Sequence, residues 1–177
     1  MTRTARPTGD YPGAPLQPTG NPMKDGLGPA AWATDRADRP DLTAHGDPRI
    51  QPISILEGWS VETRDPDPRG MTVVGADGVP AGRVTDLWVD RAEPTLRYLQ
   101  VELEGDADAP VLLPMGYCRI RRREGEVRVK AIKAEHFRDV PRTKASDQIT
   151  LLEEDKIVAY FAGGYLYADP SRAEPIF

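Results

Sequence analysis

The sequence predicts a mainly β protein: a small antiparallel barrel or sandwich, preceded by an extended arm and followed by one α-helix. Three observations predict this fold. Short runs rich in β-branched and aromatic residues alternate with turn signals from Met71 to Ile132. The first 52 residues hold nine of the 18 prolines and six of the 16 glycines. A capping-box pattern at Thr150 opens a stretch with helical periodicity.

The N-terminal arm, residues 1–52, is predicted to contain little regular structure. Proline lacks a backbone N–H group, and glycine loses much entropy when it is ordered. The arm nevertheless carries Met23, Leu27 and Trp32, which a free linker does not need. We therefore interpret it as an extended strap that lies on another surface. A disordered tail is the alternative on composition.

The second unit, residues 53–177, begins with two predicted hairpins. The turn of the first is Ala76-Asp77-Gly78, because Asp-Gly between two β-rich runs is a strong hairpin signal. The stretch from Val84 to Leu103 reads as two further strands joined by a turn. Closing such strands into a barrel would hide the sheet edges.

The C-terminal helix is predicted over about residues 150–163. Thr150 can accept the N–H group three residues on while Glu153 reaches back, and acids in the first turn favour the helix dipole. Gly163 and Gly164 are expected to end the helix. A shorter helical turn is expected at Ala134–Asp139. The residues expected to form a buried stripe are Ile157, Val158 and Phe161.

Composition and motifs exclude several function classes. A net charge of -5 argues against a general nucleic-acid binder. The single cysteine, Cys118, permits no internal disulfide and is interpreted as a small buried hydrophobe. His45 and His136 lack the spacing of metal ligands. The sequence carries no phosphate-binding loop, nucleophile elbow or zinc-protease motif, and no run of apolar residues long enough to cross a bilayer. We therefore expect no enzyme activity and no metal site.

Two charged stretches leave alternatives open. The hairpin at residues 84–103 carries ionisable groups among apolar ones, and strand alternation would place Asp86, Trp88 and Asp90 on one face. These groups are either surface salt bridges or proton carriers whose pKa is raised by burial. The stretch from Arg119 to Lys130 gathers six basic residues. It is either a solvated hairpin tip or a contact with anionic lipid headgroups or an acidic partner.

Several long segments resemble the H subunit of the purple-bacterial photosynthetic reaction centre, whose cytoplasmic part is a PRC-type β-barrel. The segments are "GVPAGRVTDLWVDRAEPTLRYLQVEL", "VLLPMGYCRI" and "SDQITLLEEDKIVAYFAGGYLYADPSRAEP". In the arm, "PTGNPMKDGLGPAAWA" and "AHGDPRIQPI" resemble the extended segment that precedes the barrel in that family. The resemblance covers about residues 9 to 177.

The resemblance implies a non-catalytic subunit at the cytoplasmic face of the photosynthetic membrane. Such a subunit caps the L and M subunits and conducts protons to the secondary quinone during light-driven electron transfer. It binds no cofactor itself, because the bacteriochlorophyll, bacteriopheophytin, quinones and non-haem iron belong to other subunits. The alternative is a free-standing PRC-barrel adaptor that binds a soluble protein or ribonucleoprotein.

The resemblance also implies residue roles. The family's inner-path aspartate falls on Asp90, its key glutamate on Glu93, and an arginine that tunes them on Arg97. In the family, a pair of surface histidines forms the entry point for protons. His45 corresponds to the first of these histidines, and Asp47 stands in place of the second. A tight zinc site of that composition is therefore not expected here.

The membrane anchor of the family has no counterpart in this sequence. The family normally begins with a transmembrane helix, and we expect that helix on a separate H-type polypeptide or removed by processing. Docking on the L and M subunits must then replace the anchor. Met23 and Trp32 of the strap are expected to act as the clamp.

Overall fold

The structure is a computed structural model that describes residues 4–172, except for the side chains of residues 107 and 108. Residues 1–3 and 173–177, the two ends of the predicted arm and second unit, lie outside the described part. The described strands are β1 (Ala5–Pro7), β2 (Leu16–Pro18), β3 (Ile50–Pro52), β4 (Thr72–Val74), β5 (Pro80–Asp90), β6 (Thr95–Leu103), β7 (Asp106–Pro114), β8 (Cys118–Arg121) and β9 (Glu126–Val129). The α-helix is α1 (Leu151–Tyr167), and Ala134–Asp139 forms the expected helical turn as a 3-10 helix.

The main sheet has the strand order β7-β6-β5-β4-β9-β8, with β3 paired to β5. The mainly β class and the C-terminal helix are confirmed. The expectation of a purely antiparallel sheet is wrong at one place, because β4 and β9 run parallel. β4 lies between β5 and β9, and the chain passes through β5 to β8 before it reaches β9. This long connection permits the parallel pairing, which a tight turn could not make. Between the end strands β7 and β8, no pairing within the described residues closes the sheet.

Both predicted hairpins are present. β4 and β5 pair antiparallel around the Asp77-Gly78 turn, where Gly78 has a φ of 78° that favours glycine. β5 and β6 pair from Gly82↔Leu103 to Asp90↔Thr95. The hairpin that carries the ionisable residues therefore lies in the middle of the sheet.

The structure agrees with the expected alternation along the C-terminal half of β5. Residues 86–90 are all buried, but Asp86 and Trp88 line one cavity, whereas Leu87 and Val89 line another. The register shift after Trp88 places its extra residue on β6, so the two-residue period of β5 is kept there. β3 also adds to the sheet beside Trp88–Asp90.

The helix begins as predicted and ends later than predicted. Thr150 Oγ1 accepts the N–H of Glu153 at 3.1 Å, and Glu153 Oε2 accepts the N–H of Thr150 at 2.9 Å. Gly163 and Gly164 do not end the helix, which continues to Tyr167. Of the predicted stripe, Ile157 and Phe161 are fully buried, but Val158 is 38% exposed. Val158 instead lines a cleft beside the helix.

The two helix glycines are sites of close packing. A Cβ atom added to Gly163 would lie 2.5 Å from the Cβ of Ala30 in the arm. One added to Gly164 would lie 2.4 Å from Cγ2 of Ile132. Since such distances are far inside van der Waals contact, the missing side chains let the arm and the 131–132 segment approach the helix.

The arm packs on its own chain. Met23 is buried in the main hydrophobic core, Ala30 is fully buried, and the ring of Trp32 lies 5.8 Å from Nζ of Lys156. Contrary to the expectation of an intermolecular clamp, Met23 and Trp32 are engaged within the chain. The arm also has regular structure, because β1 and β2 form a hairpin and β3 joins the main sheet. The division at residues 52 and 53 stays a prediction.

Candidate functional site

Asp90, the last residue of β5, is a fully buried carboxylate with four partners, two arginines and two backbone N–H groups. Arg49 Nε donates to both of its oxygens at 2.9 Å. Arg97 Nη1 lies 3.4 Å from Oδ2. The backbone N–H groups of Ala92 and Glu93 donate to Oδ1 at 3.0 and 3.1 Å. This carboxylate therefore holds the β5–β6 turn and two arginines in place.

The electrostatics of Asp90 keep it ionised. Burial raises the pKa of the carboxyl, but the hydrogen bonds from Arg49 and from the turn N–H groups outweigh this, so that the pKa lies below its ordinary value. The same hydrogen bond to Asp90 raises the pKa of the Arg49 guanidinium. Asp90 thus has the character of a fixed negative charge.

Glu93 lies in the turn between β5 and β6, and its side chain is 77% exposed. Its carboxylate is 3.4 Å from Nη2 of Arg49. Arg49 therefore contacts both predicted acids, of which Asp90 is buried and Glu93 is exposed at the surface. In the chain alone, Glu93 is not buried.

Glu154 is an acid of this site that the sequence analysis did not select. It projects from the first turn of α1, and its side chain is only 15% exposed. The hydroxyl of Tyr98 donates to Glu154 Oε2 at 2.8 Å, and Arg97 Nη2 lies 3.5 Å from the same oxygen. Burial raises the pKa of Glu154 above its ordinary value, against the opposing effects of Tyr98 and Arg97.

A periodicity signal for Glu154 was present in the sequence. Ile157 and Phe161 follow it at three and seven residues, which is the spacing of one helix face. We interpreted the acids of this turn only through the helix dipole. An acid on the buried face of a helix is an unusual placement, because an unpaired charge there is costly.

These side chains form one connected group, which we call the Asp90 cluster. Arg49 joins Glu93 to Asp90, and Arg97 joins Asp90 to Glu154. A cleft of about 320 Å³ lies beside it, between β6, α1 and the arm. The cluster comprises Arg49, Asp90, Glu93, Arg97 and Glu154.

Tyr98 borders this cleft from β6. Burial, followed by the charge of Glu154, raises the pKa of its hydroxyl. The neutral hydroxyl is therefore a donor to Glu154. It does not itself ionise near neutral pH.

The predicted surface residues His45 and Asp47 lie in an exposed turn of the arm. Asp47 Oδ2 is 3.5 Å from Nη2 of Arg91, the residue after Asp90. The backbone N–H of His45 donates to Thr43 Oγ1 at 3.3 Å. The side chain of His45 forms no ion pair within residues 4–172. The structure thus brings Asp47 near the β5 terminus through Arg91 and leaves His45 outside the Asp90 cluster.

The other candidate groups, Asp86, Cys118 and His136, have contacts or burial typical of a structural role. Asp86 accepts hydrogen bonds from the hydroxyl of Ser54 and, at 2.8 Å, from the N–H of Leu87. Burial raises the pKa of the Cys118 thiol to about 12, which disfavours the nucleophilic thiolate. His136 Nδ1 accepts the N–H of Lys133 at 3.2 Å. In the described part of the chain, no group of three His, Cys, Asp or Glu residues could hold a metal ion.

Comparison with known families assigns the two parts of the chain. Residues 2–55 match the model of the photosynthetic reaction centre H-chain N-terminal region, and residues 61–136 match that of the PRC-barrel domain. These two matches support the resemblance to the H subunit of the photosynthetic reaction centre. Of the Asp90 cluster, Arg49 lies in the first matched region, and Asp90, Glu93 and Arg97 lie in the second.

The match to the H-chain N-terminal region supports a role as a reaction-centre subunit, which implies association with the core subunits of the reaction centre. Both family descriptions are consistent with a structural role and no enzyme activity. No helix within residues 4–172 has both the length and the apolar character needed to cross a bilayer.

Proposed function

We propose that this H chain stabilises the L and M subunits and conducts protons to the secondary quinone during light-driven electron transfer. The observation that supports proton conduction is the continuity of the Asp90 cluster. The cluster holds an exposed acid, a buried ionised acid and a largely buried acid of raised pKa in one connected group. The two arginines between them stay charged, so they orient the carboxylates and do not carry protons. Protons cross a protein where ionisable groups and ordered waters lie within hydrogen-bonding reach.

The acids of the cluster have different roles in this proposal. A proton carrier needs a pKa at which both of its forms are accessible, and burial moves Glu154 in that direction. Asp90 is held ionised by Arg49 and supplies a fixed field instead. Glu93, in the exposed turn, faces the core subunits and exchanges protons with the quinone side. Arg97 touches both buried acids and sets their relative charge states.

Exposed apolar residues of the arm support the stabilising role. Tyr11 is 60% exposed and Leu16 is 68% exposed, and both lie in or beside the β1–β2 hairpin. Aromatic and aliphatic anchors of this kind favour protein interfaces. Because Met23 and Trp32 are used within the chain, we assign the clamp on the core subunits to this hairpin.

The proton-conduction test is Glu154→Gln in assembled reaction centres, scored by flash-induced transfer of the second electron to the quinone. Loss of the carrier is expected to slow this proton-coupled step about tenfold or more, since positioned proton-transfer groups contribute ~100-fold or more. Transfer of the first electron is expected to be unchanged. Glu135→Gln removes an exposed carboxylate that pairs with His136 and not with a residue of the cluster, and it serves as the control.

Unchanged second-electron kinetics in fully assembled Glu154→Gln reaction centres would contradict the role of Glu154. Equal slowing in the Glu135→Gln control would contradict a specific route. The docking role is tested separately by Tyr11→Ser with Leu16→Ser, which is expected to reduce recovery of the H chain with the core subunits. Full recovery of that variant in stringent washes would contradict the assignment of the clamp.

A further inference from the structure

A second concave site lies away from the Asp90 cluster. It is a groove of about 650 Å³ between the β8–β9 hairpin, the turn at residues 75–78 and the end of α1. Its volume is in the range of small-molecule sites. The charged residues that line it are Asp77, Arg119, Arg121, Arg128, Lys130 and Arg172.

The basic lining contains a repulsive arrangement. Arg119 of β8 stands directly opposite Arg128 of β9, and both are exposed. Like charges opposite each other on neighbouring strands destabilise a sheet. Arg128 forms an ion pair with Glu126 at 2.9 Å. Arg119 and Lys130 form no ion pair with any described residue. The groove therefore holds uncompensated positive charge.

The acid of the groove, Asp77, offsets only part of that charge, because five basic residues line the groove beside it. Asp77 Oδ1 accepts the backbone N–H groups of Val79 and Ala134 at 3.3 and 3.2 Å, which commits it to the turn. Arg172 is also committed, since it donates to the carbonyl groups of Lys130, Ala131 and Gly164 at 2.9 to 3.0 Å. These contacts fix two walls of the groove.

Two aromatic rings complete the site. Tyr117 and Tyr165 both line the groove, with ring centroids 5.9 Å apart. Tyr165 is 49% exposed, which leaves much of its side chain open to solvent. Charge on the edge strand β8 would by itself discourage aggregation. That role does not explain why Lys130, beyond the end of β9, and two tyrosines converge on one concavity.

We propose that this groove binds a soluble phosphorylated ligand that carries a planar ring. The phosphate groups contact Arg119, Arg128 and Lys130, because guanidinium and ammonium groups form charge-assisted hydrogen bonds with phosphate. The ring packs on Tyr165. The inference does not depend on proton conduction by the Asp90 cluster.

The test is titration of the full chain with ADP by calorimetry at low salt. The expected result is saturable binding at one site. The double substitution Arg119→Gln with Lys130→Gln is expected to weaken that binding about tenfold or more. The matched control, Arg122→Gln with Arg123→Gln, removes the same charge from the adjacent exposed turn and is expected to leave the affinity within about twofold. Thermal unfolding checks that both variants fold.

Two further experiments define the chemistry of the ligand. Tyr165→Ser is expected to weaken ADP binding but not binding of inorganic pyrophosphate, which has no ring. Vesicles of phosphatidylcholine with phosphatidylglycerol test a lipid headgroup as the source of the phosphate. The proposal is overturned by absence of saturable ADP binding, by equal loss in the Arg122 and Arg123 control, or by binding to vesicles alone.

Discussion

Tyr98 donates a hydrogen bond of 2.8 Å to Glu154 and so connects the central strand β6 to the first turn of α1. Tyr98 is buried and Glu154 is largely buried, and each group raises or lowers the pKa of the other. The hydrogen bond stabilises the carboxylate form, so it partly offsets the effect of burial on the pKa of Glu154. One hydrogen bond therefore both connects the sheet to the helix and affects the pKa of the proposed proton carrier.

Tyr98→Phe is expected to raise the pKa of Glu154 further, because the substitution removes a donor to the ionised form. The free energy of unfolding should fall by about 1 kcal/mol, the usual net contribution of a hydrogen bond. Carboxyl-carbon NMR titration of glutamate-labelled protein, with Glu154→Gln to identify the resonance, measures the pKa. A lowered pKa in Tyr98→Phe would contradict the contact.

Asp90→Asn is expected to destabilise the isolated chain by about 2–3 kcal/mol. The neutral amide leaves Arg49 and Arg97 without their buried counter-charge, although partial exposure of both arginines lets water compensate in part. Urea unfolding measures the change. Glu93→Gln serves as the control, because that side chain is exposed and is expected to contribute less than about 1 kcal/mol.

The contribution of Asp90 to stability is expected to depend on pH with a defined sign. Its pKa is lower in the folded chain than in the unfolded one, so ionised Asp90 stabilises the fold above the unfolded value of about 3.9. That stability is lost as the pH falls through the folded pKa. Glu154 has the opposite sign, since its raised pKa disfavours the folded state at high pH and this cost disappears on acidification.

The measurement is urea unfolding of the wild-type chain and Asp90→Asn between about pH 3 and 7. The difference between the two is expected to be constant above about pH 5 and to shrink below about pH 4. A difference that grows on acidification would show that the sign is wrong.

Gly164→Ala is expected to destabilise the chain by about 1–3 kcal/mol. The new Cβ would lie 2.4 Å from Ile132 Cγ2 and 2.7 Å from the carbonyl oxygen of Ala131, so the packing must shift. Without that clash, alanine in place of a helical glycine would stabilise. Thermal unfolding distinguishes the two signs. Gly116→Ala, whose Cβ would meet no atom within 4 Å, is the control.

Much of the fold could be predicted from local signals. The Asp77-Gly78 turn, the β5–β6 hairpin and the Thr150 capping box each depend on neighbouring residues, and each is present. The length of α1 could not be predicted in this way. Gly163 and Gly164 look like a helix end in the sequence, but their role depends on Ala30 and Ile132, which are distant along the chain.

The candidate site was likewise predictable only in part. The resemblance selected Asp90, Glu93 and Arg97, and the structure brings the three together around the end of β5. Arg49 and Glu154 come from the arm and the helix, so their contacts depend on tertiary packing. The ionisation of Asp90 was not predictable for the same reason, because Arg49 is 41 residues away along the chain.

The central claim, that Glu154 carries a proton within the Asp90 cluster, is tested most directly by light-induced infrared difference spectroscopy of assembled reaction centres. Reduction of the secondary quinone is expected to produce a protonated-carboxyl band that disappears in Glu154→Gln and persists in Glu135→Gln. Persistence of the whole band in Glu154→Gln, with second-electron transfer at the wild-type rate, would contradict the claim.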